Sequence, residues 1–198
     1  VSPDMIKGID ERIDANGDIL IPLNRNSALK TISGLVAAGA ESFAICLLWA
    51  FRNPRHEQQI AAIIQEIAPG LPVSLSHEIA PRMGEFERAV TTVINAYIGP
   101  VTDTYIRDLD NGLSSKGLTN PVQVVTSTGG AARATEMNRR AVSVVNSGRV
   151  AGLVAARFLG DQLGHSKIIT ADMGGTSFDV GLIDGPTLEE DPYPFLDQ

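Results

Sequence analysis

The chain has 198 residues, 43% hydrophobic and 20% charged, with a formal net charge of -7. It is long enough to bury a core without disulfides or metals, and its acidic balance excludes non-specific binding to nucleic acid or anionic membranes, which needs a basic face. No stretch approaches the roughly 20 apolar residues of a membrane span, and Val1-Ser2-Pro3-Asp4 shows neither the basic start nor the apolar run of a secretory signal. The single cysteine, Cys46, cannot form an internal disulfide and points to a reducing, cytoplasmic setting. It lies in an apolar run and reads as a small hydrophobe rather than a nucleophile.

In chain order, residues 6–13 alternate apolar and polar, Asn16-Gly17 supplies a turn, and Ile19-Leu20-Ile21 returns as the second arm of a hairpin. A helix follows over 27–38, with Leu29, Ile32, Leu35 and Val36 on one face and Gly39 as its stop. Residues 43–49 form a buried strand, and Asn53-Pro54-Arg55-His56-Glu57 opens a helix striped by Ile60, Ile63, Ile64 and Ile67. A short strand at 72–75 completes an order that predicts an α/β layer with a partly parallel sheet. The character changes between 76 and 84, where a domain boundary is expected. A strong helix over 85–98 is broken or kinked at Gly99-Pro100, and a second piece continues over 101–113. Beyond it come a strand at 122–126, helices over 131–139 and 149–160, and strands at 167–171 and 177–183.

Three loops of the second half share one chemistry. Ser127-Thr128-Gly129-Gly130 follows a strand, Ser147-Gly148 precedes a helix, and Gly174-Gly175-Thr176-Ser177 joins the last two strands. Hydroxyls and exposed amides at strand ends and helix starts suit a polyphosphate. Asp172, at the end of its strand, is placed to hold a metal ion or a water beside that phosphate. The same residues also suit structural jobs, since Gly-Gly is a favoured hairpin turn and Ser147 a plain helix cap. Neither a P-loop, a dinucleotide fingerprint nor a complete H-E-x-x-H is present. His77-Glu78 follows a strand end, where α/β proteins place ligands. His56 reads as a first-turn residue and His165 as a solvated turn.

Asp172-Met173-Gly174-Gly175-Thr176-Ser177-Phe178-Asp179-Val180 resembles the D-M-G-G-T-S-x-D-V segment of the hydantoinase A / 5-oxoprolinase family, whose relatives include acetone and acetophenone carboxylase subunits. Glu11-Arg12-Ile13-Asp14-Ala15-Asn16-Gly17, Asn53-Pro54-Arg55-His56-Glu57, Ser76-His77-Glu78-Ile79, and Glu85-Phe86-Glu87-Arg88 through Asn95-Ala96-Tyr97 resemble the family's segments in the same order. The resemblance implies an α/β fold with mixed sheets, built from parts of actin/Hsp70-like (ribonuclease H-like) ATPase lobes. It implies residues 1–78 as the end of an N-terminal domain and 79–198 as the start of the ATPase domain.

The implied activity is ATP- and Mg²⁺-dependent activation of a carbonyl or amide oxygen of a small substrate, for ring-opening hydrolysis or carboxylation. A partner subunit or domain of the hydantoinase B type is implied as well. On that pattern Gly174, Gly175, Thr176 and Ser177, with Ser147, Gly148, Gly129 and Gly130, cradle phosphates, while Asp172 is the catalytic residue that holds Mg²⁺ through water. Two departures stand out. The family's S-G-P-A-G-G reads Ser147-Gly148-Arg149-Val150-Ala151-Gly152, and T-S-T-D reads Thr176-Ser177-Phe178-Asp179. A first D-x-G-G-T loop is missing, so the chain reads as an internal, inactive fragment of a longer enzyme. The alternative is a non-catalytic actin-like binding or assembly module.

Overall fold

The computed structural model describes residues 1–137 and 139–185, and the chain divides into two compact units. Unit 1 is Val1–Val122 with Ala134–Val142; unit 2 is Gln123–Arg133 with the residues from Ser143 onward.

Unit 1 begins with an antiparallel hairpin, β1 (Arg12–Ile13) and β2 (Ile19–Ile21). Its turn is held by Asp14, whose Oδ1 accepts from the backbone N–H groups of Asn16 and Asp18, both at 2.9 Å. The first arm is far shorter than the expected 6–13. Helix α1 (Arg25–Ala37) starts at Asn24, whose side chain accepts from the Ser27 N–H at 3.1 Å. Next come β3 (Phe43–Ile45), α2 (Arg55–Ile67) and β4 (Val73–Leu75), and the two strands pair in parallel, as the order predicts. Helix α2 opens one residue later than expected. Pro54 is the cap, and the Asn53 Oδ1 accepts from the Arg55 N–H at 3.1 Å. Ala28 and Ile32 of α1, Phe43 and Ile45 of β3, and Ile60, Ile63 and Ile64 of α2 form one buried cluster. The 3.6-residue stripe of α2 thereby covers one face of the strand pair.

A single turn, α3 (Ser76–Ile79), leads to α4 (Glu85–Ser115). Of the break or kink expected at Gly99-Pro100, the break is absent, because the helix runs through both residues. A proline in a helix interior costs about 3 kcal/mol. Burial anchors the helix on both sides of it, through Thr92, Asn95 and Ala96 before and Ile106 after.

The same unit buries an unusual polar set: His56, Glu57, Ser74, Ser76, Arg88, Thr92 and Asn95 are all nearly inaccessible. The Nδ1 of His56 lies 2.6 Å from Glu11 Oε2. The Asn95 amide donates to Ser74 Oγ (2.9 Å) and to the Arg139 carbonyl (3.2 Å), and its Oδ1 accepts from the Val142 N–H (3.0 Å). Arg88 donates to the carbonyls of Leu47 (2.6 Å) and Arg82 (3.2 Å) and lies over the Phe51 ring, 5.3 Å from its centroid. Such groups are tolerated inside only when their hydrogen bonds are made.

In unit 2, β5 (Gln123–Val125) pairs antiparallel with β6 (Ala131–Arg133). This overturns the helix expected over 131–139, of which residue 138 lies outside the described residues. The turn between the strands wins the segment: Gly129 takes φ +81°, and the Thr126 N–H bonds to the Gly130 carbonyl at 2.9 Å, closing the hairpin. Helix α5 (Ser147–Leu163) follows, then the seven-residue strands β7 (Lys167–Met173) and β8 (Phe178–Asp184), antiparallel and in continuous register.

Replacing Ile64, which is fully buried in the first cluster, by Ala is expected to lower stability by about 2–5 kcal/mol through lost transfer energy and the cavity left behind. Chemical unfolding of the two proteins measures the difference.

Candidate functional site

The three predicted loops all lie in unit 2. Along α5, positions 149, 153, 157 and 160 recur at helical spacing and lie along one face of the β7–β8 hairpin. Arg149 Nε pairs with Asp179 Oδ2 at 3.0 Å, Arg157 donates to the Gly185 carbonyl, and added methyl groups at Gly181 and Gly160 would run into Leu153 and Ile168. The adjacent stripe, Val150 and Val154, packs against Gly129 of the β5–β6 turn. The first turns of α5 therefore meet Gly129 of the β5–β6 turn on one side and Asp179, near the start of β8, on the other.

The glycines at these loops divide into two kinds. Gly129 is structural: its φ is positive, and a Cβ there would sit 3.2 Å from Val154 Cγ2. Gly174 and Gly175 lack positive φ, and the space beside Gly175 is open to at least 4 Å. Neither backbone conformation nor packing demands glycine at 175. What a missing side chain leaves there is room for another molecule to approach the backbone. Gly148, in the first turn of α5, is equally open. The β7–β8 turn closes through Gly174 N–H to the Ser177 carbonyl at 2.9 Å.

Helix α5 begins with Asn146 at φ +60°, and no side chain caps it, so Ser147 is the first helical residue and not the cap. The first-turn N–H groups of Ser147, Gly148 and Arg149 carry the positive end of the dipole. A phosphate is the kind of group such an end takes.

Asp172 and Asp179 are directly paired across the ladder, so their side chains share the face that α5 covers. Like charges at such a position repel. Asp179 is answered by Arg149 and by the Ser177 hydroxyl, which donates to its Oδ2 at 3.1 Å. Asp172 is exposed and, among the described residues, has no partner. Of the two carboxylates it is the one open to a cation. No group of three or more His, Cys, Asp or Glu side chains suited to a metal occurs among the described residues. One or two carboxylates beside a polyphosphate is nevertheless the usual donor set of Mg²⁺, which keeps several waters. The residues present fit that ion and a phosphate chain.

Arg149 is the contact that sequence reasoning left without a role. It stands where the resembling motif has proline, and its pairing with Asp179 joins the helix start to the hairpin turn. His165 is exposed, as expected, whereas His56 and His77 each lie against a glutamate in unit 1.

The fold is mixed α/β, and it is shared with two solved structures. The nucleotide-free structure of acetone carboxylase superposes with a TM-score of 0.79 at 31% identity, covering 90% of this chain and 25% of that one. ATP-dependent caprolactamase from Pseudomonas jessenii gives 0.79 at 35%, covering 88% and 25%. The family model Hydantoinase/oxoprolinase matches residues 88–192, and that of the Hydantoinase/oxoprolinase N-terminal region matches residues 2–68. The chain belongs to the hydantoinase/oxoprolinase family. Among curated relatives, the acetophenone carboxylase gamma subunit of Aromatoleum aromaticum is 32% identical over 188 residues, 92% of this chain and 25% of that protein. The 5-oxoprolinase of Saccharomyces cerevisiae is 31% identical over 158 residues, 79% of this chain and 12% of the relative. The chain thus spans about a quarter or less of the relatives it matches. No helix among the described residues is long and apolar enough to cross a membrane.

Gly175→Ala is expected to change stability by less than about 0.5 kcal/mol. Gly129→Ala should cost more than about 1 kcal/mol, because φ and Val154 both oppose a Cβ. Urea unfolding of the pair checks the division.

Proposed function

We propose that the protein to which this chain belongs uses ATP and Mg²⁺ to activate a carbonyl or amide oxygen of a small substrate for hydrolysis or carboxylation. The observation that carries this reading is the convergence of the uncapped α5 start, the open Gly174–Thr176 turn and the unpartnered Asp172 on one end of unit 2. Its support from outside is the family, and the ATP dependence that the caprolactamase and acetone carboxylase structures are named for.

ATP supplies a phosphoryl group that makes a carbonyl oxygen a leaving group. On this chain, the N–H groups of Ser147 and Gly148 and the backbone of Gly174, Gly175 and Thr176 bind and orient the phosphates. Gly129 and Gly130 shape the wall of the site, and Ser177 holds Asp179 in place. Arg149 adds a fixed positive charge at the helix start. Asp172 would hold Mg²⁺, an ion that would supply positive charge to offset the charge developing on the transferred group.

In this reading residues 1–78 end an N-terminal domain, and 79–198 begin an actin-like ATPase domain of a cytoplasmic enzyme. A partner subunit of the hydantoinase B type completes it, in line with the gamma, alpha and beta subunits among its relatives.

Asp172→Asn in the full-length protein removes the charge and keeps the shape. ATP hydrolysis should fall by about 10³-fold or more, with the melting temperature unchanged. Undiminished turnover would overturn the assignment in favour of an assembly module.

A further inference from the structure

The two-stranded sheet of unit 1 has an edge whose hydrogen-bonding groups are free. In a parallel pair, alternate residues of a strand turn their N–H and C=O toward the neighbour. The Phe43 N–H bonds to the Pro72 carbonyl at 2.9 Å, and Phe43 pairs with Val73 and Ile45 with Leu75. That register turns the N–H and C=O of Ser74 toward β3. Val73 therefore presents both its N–H and its C=O, and Leu75 its N–H, on the opposite edge of β4. Among the described residues none of these three groups has a hydrogen-bond partner.

That edge is the floor of a groove of about 420 Å³. Side chains alternate across a strand, and here they face two different helices. Val73 and Leu75 pack on the side of α2, whereas Ser74 Oγ accepts from the Asn95 amide of α4 at 2.9 Å. The walls beside the edge are built of small residues, Ala61 of α2 and Ala96 and Gly99 of α4. Gly99 is buried, yet a Cβ there would meet nothing within 4 Å, so the wall has a hollow at that point. Pro100 lines the same wall and, lacking an N–H, leaves the Ala96 carbonyl without its helical donor. Free backbone groups along a strand edge, with pockets for side chains beside them, are what an added strand uses.

We propose that an extended segment of the same polypeptide, from outside residues 1–198, lies in this groove as a third strand beside β4. It bonds to the N–H and C=O of Val73 and to the N–H of Leu75. One of its side chains fills the hollow at Gly99, and a donor on the same face answers the Ala96 carbonyl. The edge is recessed between two helices, so a second copy, whose own β4 is flanked in the same way, cannot bring its edge against it. A single extended segment can. This chain covers 25% of the acetophenone carboxylase gamma subunit and 25% of acetone carboxylase, which leaves about three-quarters of such a protein to supply the strand. A segment of the same polypeptide also reaches the groove at high effective concentration. Unit 1 gains from it, because two strands by themselves are marginally stable. The inference depends neither on the nucleotide site nor on the proposed reaction.

The test is hydrogen exchange on the full-length protein, with single amides resolved by fragmentation in a mass spectrometer. Ser74, whose N–H faces β3, is the internal reference. The Val73 and Leu75 amides should exchange within about tenfold of Ser74, as amides paired in one sheet do. Exchange more than about tenfold faster at either one would overturn the proposal. Gly99→Leu keeps the helix and fills the hollow, so it should speed Val73 and Leu75 by about tenfold or more and leave Ser74 unchanged. Undiminished protection in that variant would mean that burial alone slows these amides, and the added strand is then refuted. The source of the strand is read separately, with the photo-cross-linker p-benzoylphenylalanine in place of Glu78, which also lines the groove. An intramolecular cross-link to a peptide outside residues 1–198 supports the assignment. A cross-link to a second copy or to another subunit would overturn it. Asp172→Asn should leave all of these readings unchanged, so the strand and the nucleotide site fail separately.

Discussion

Unit 1 is organised around a single buried carboxylate. Glu57 takes hydrogen bonds from the loop after β3 and from the chain leaving β4, while its own backbone belongs to α2, so one side chain ties three segments of the βαβ unit together. The arrangement extends through one peptide group. Leu47 donates its N–H to Glu57 and offers its carbonyl to Arg88 of α4, which links the carboxylate to a buried guanidinium without an ion pair between them. Removing a charge from water costs several kcal/mol, and hydrogen bonds of this number are what make it bearable. Only Arg88 Nε, among the buried side-chain polar atoms described, lacks a partner.

Unit 2 is built on the opposite principle. It buries little, and its long hairpin leaves Ile169, Met173, Phe178, Val180 and Leu182 exposed on the face away from α5. Its order comes from the match of two periodicities, every second residue of β7–β8 against every third or fourth residue of α5. Small residues make the contact close, since Gly160 and Gly181 admit Ile168 and Leu153. The consequence is positional: the polar end of the helix is set beside the polar end of the hairpin, where Arg149 and Asp179 meet.

The two units also explain where the family resemblance resides. In unit 1 the resembling segments contain Glu11, His56, Glu57, Ser76, His77, Arg88 and Asn95, and these are the residues that build its polar interior. In unit 2 the resembling segment is the exposed turn with Asp172 and its glycines. One set is buried and, apart from Arg88 Nε, engaged, while the other is open and largely unpartnered.

Read alone, the sequence determined the elements whose signal is local. The isoleucine stripe of α2, the glycine stop after α1, the turn at Asn16-Gly17 and the strand pair around Gly174-Gly175 follow from neighbours a few residues apart, as does the α/β order. The positions of the three loops at strand ends and at a helix start were legible as well, since glycines and hydroxyls mark such turns. What only the tertiary structure decided depends on partners far along the chain. Helix α4 survives Pro100 because buried residues anchor it on both sides, and 131–133 becomes a strand because β5 supplies its hydrogen bonds. His77 meets Glu57, 20 positions earlier, and Arg149 meets Asp179, 30 positions later. Hydrogen bonds and ion pairs are set by distance in space, and a one-dimensional pattern carries that distance only for residues within a turn or two of one another.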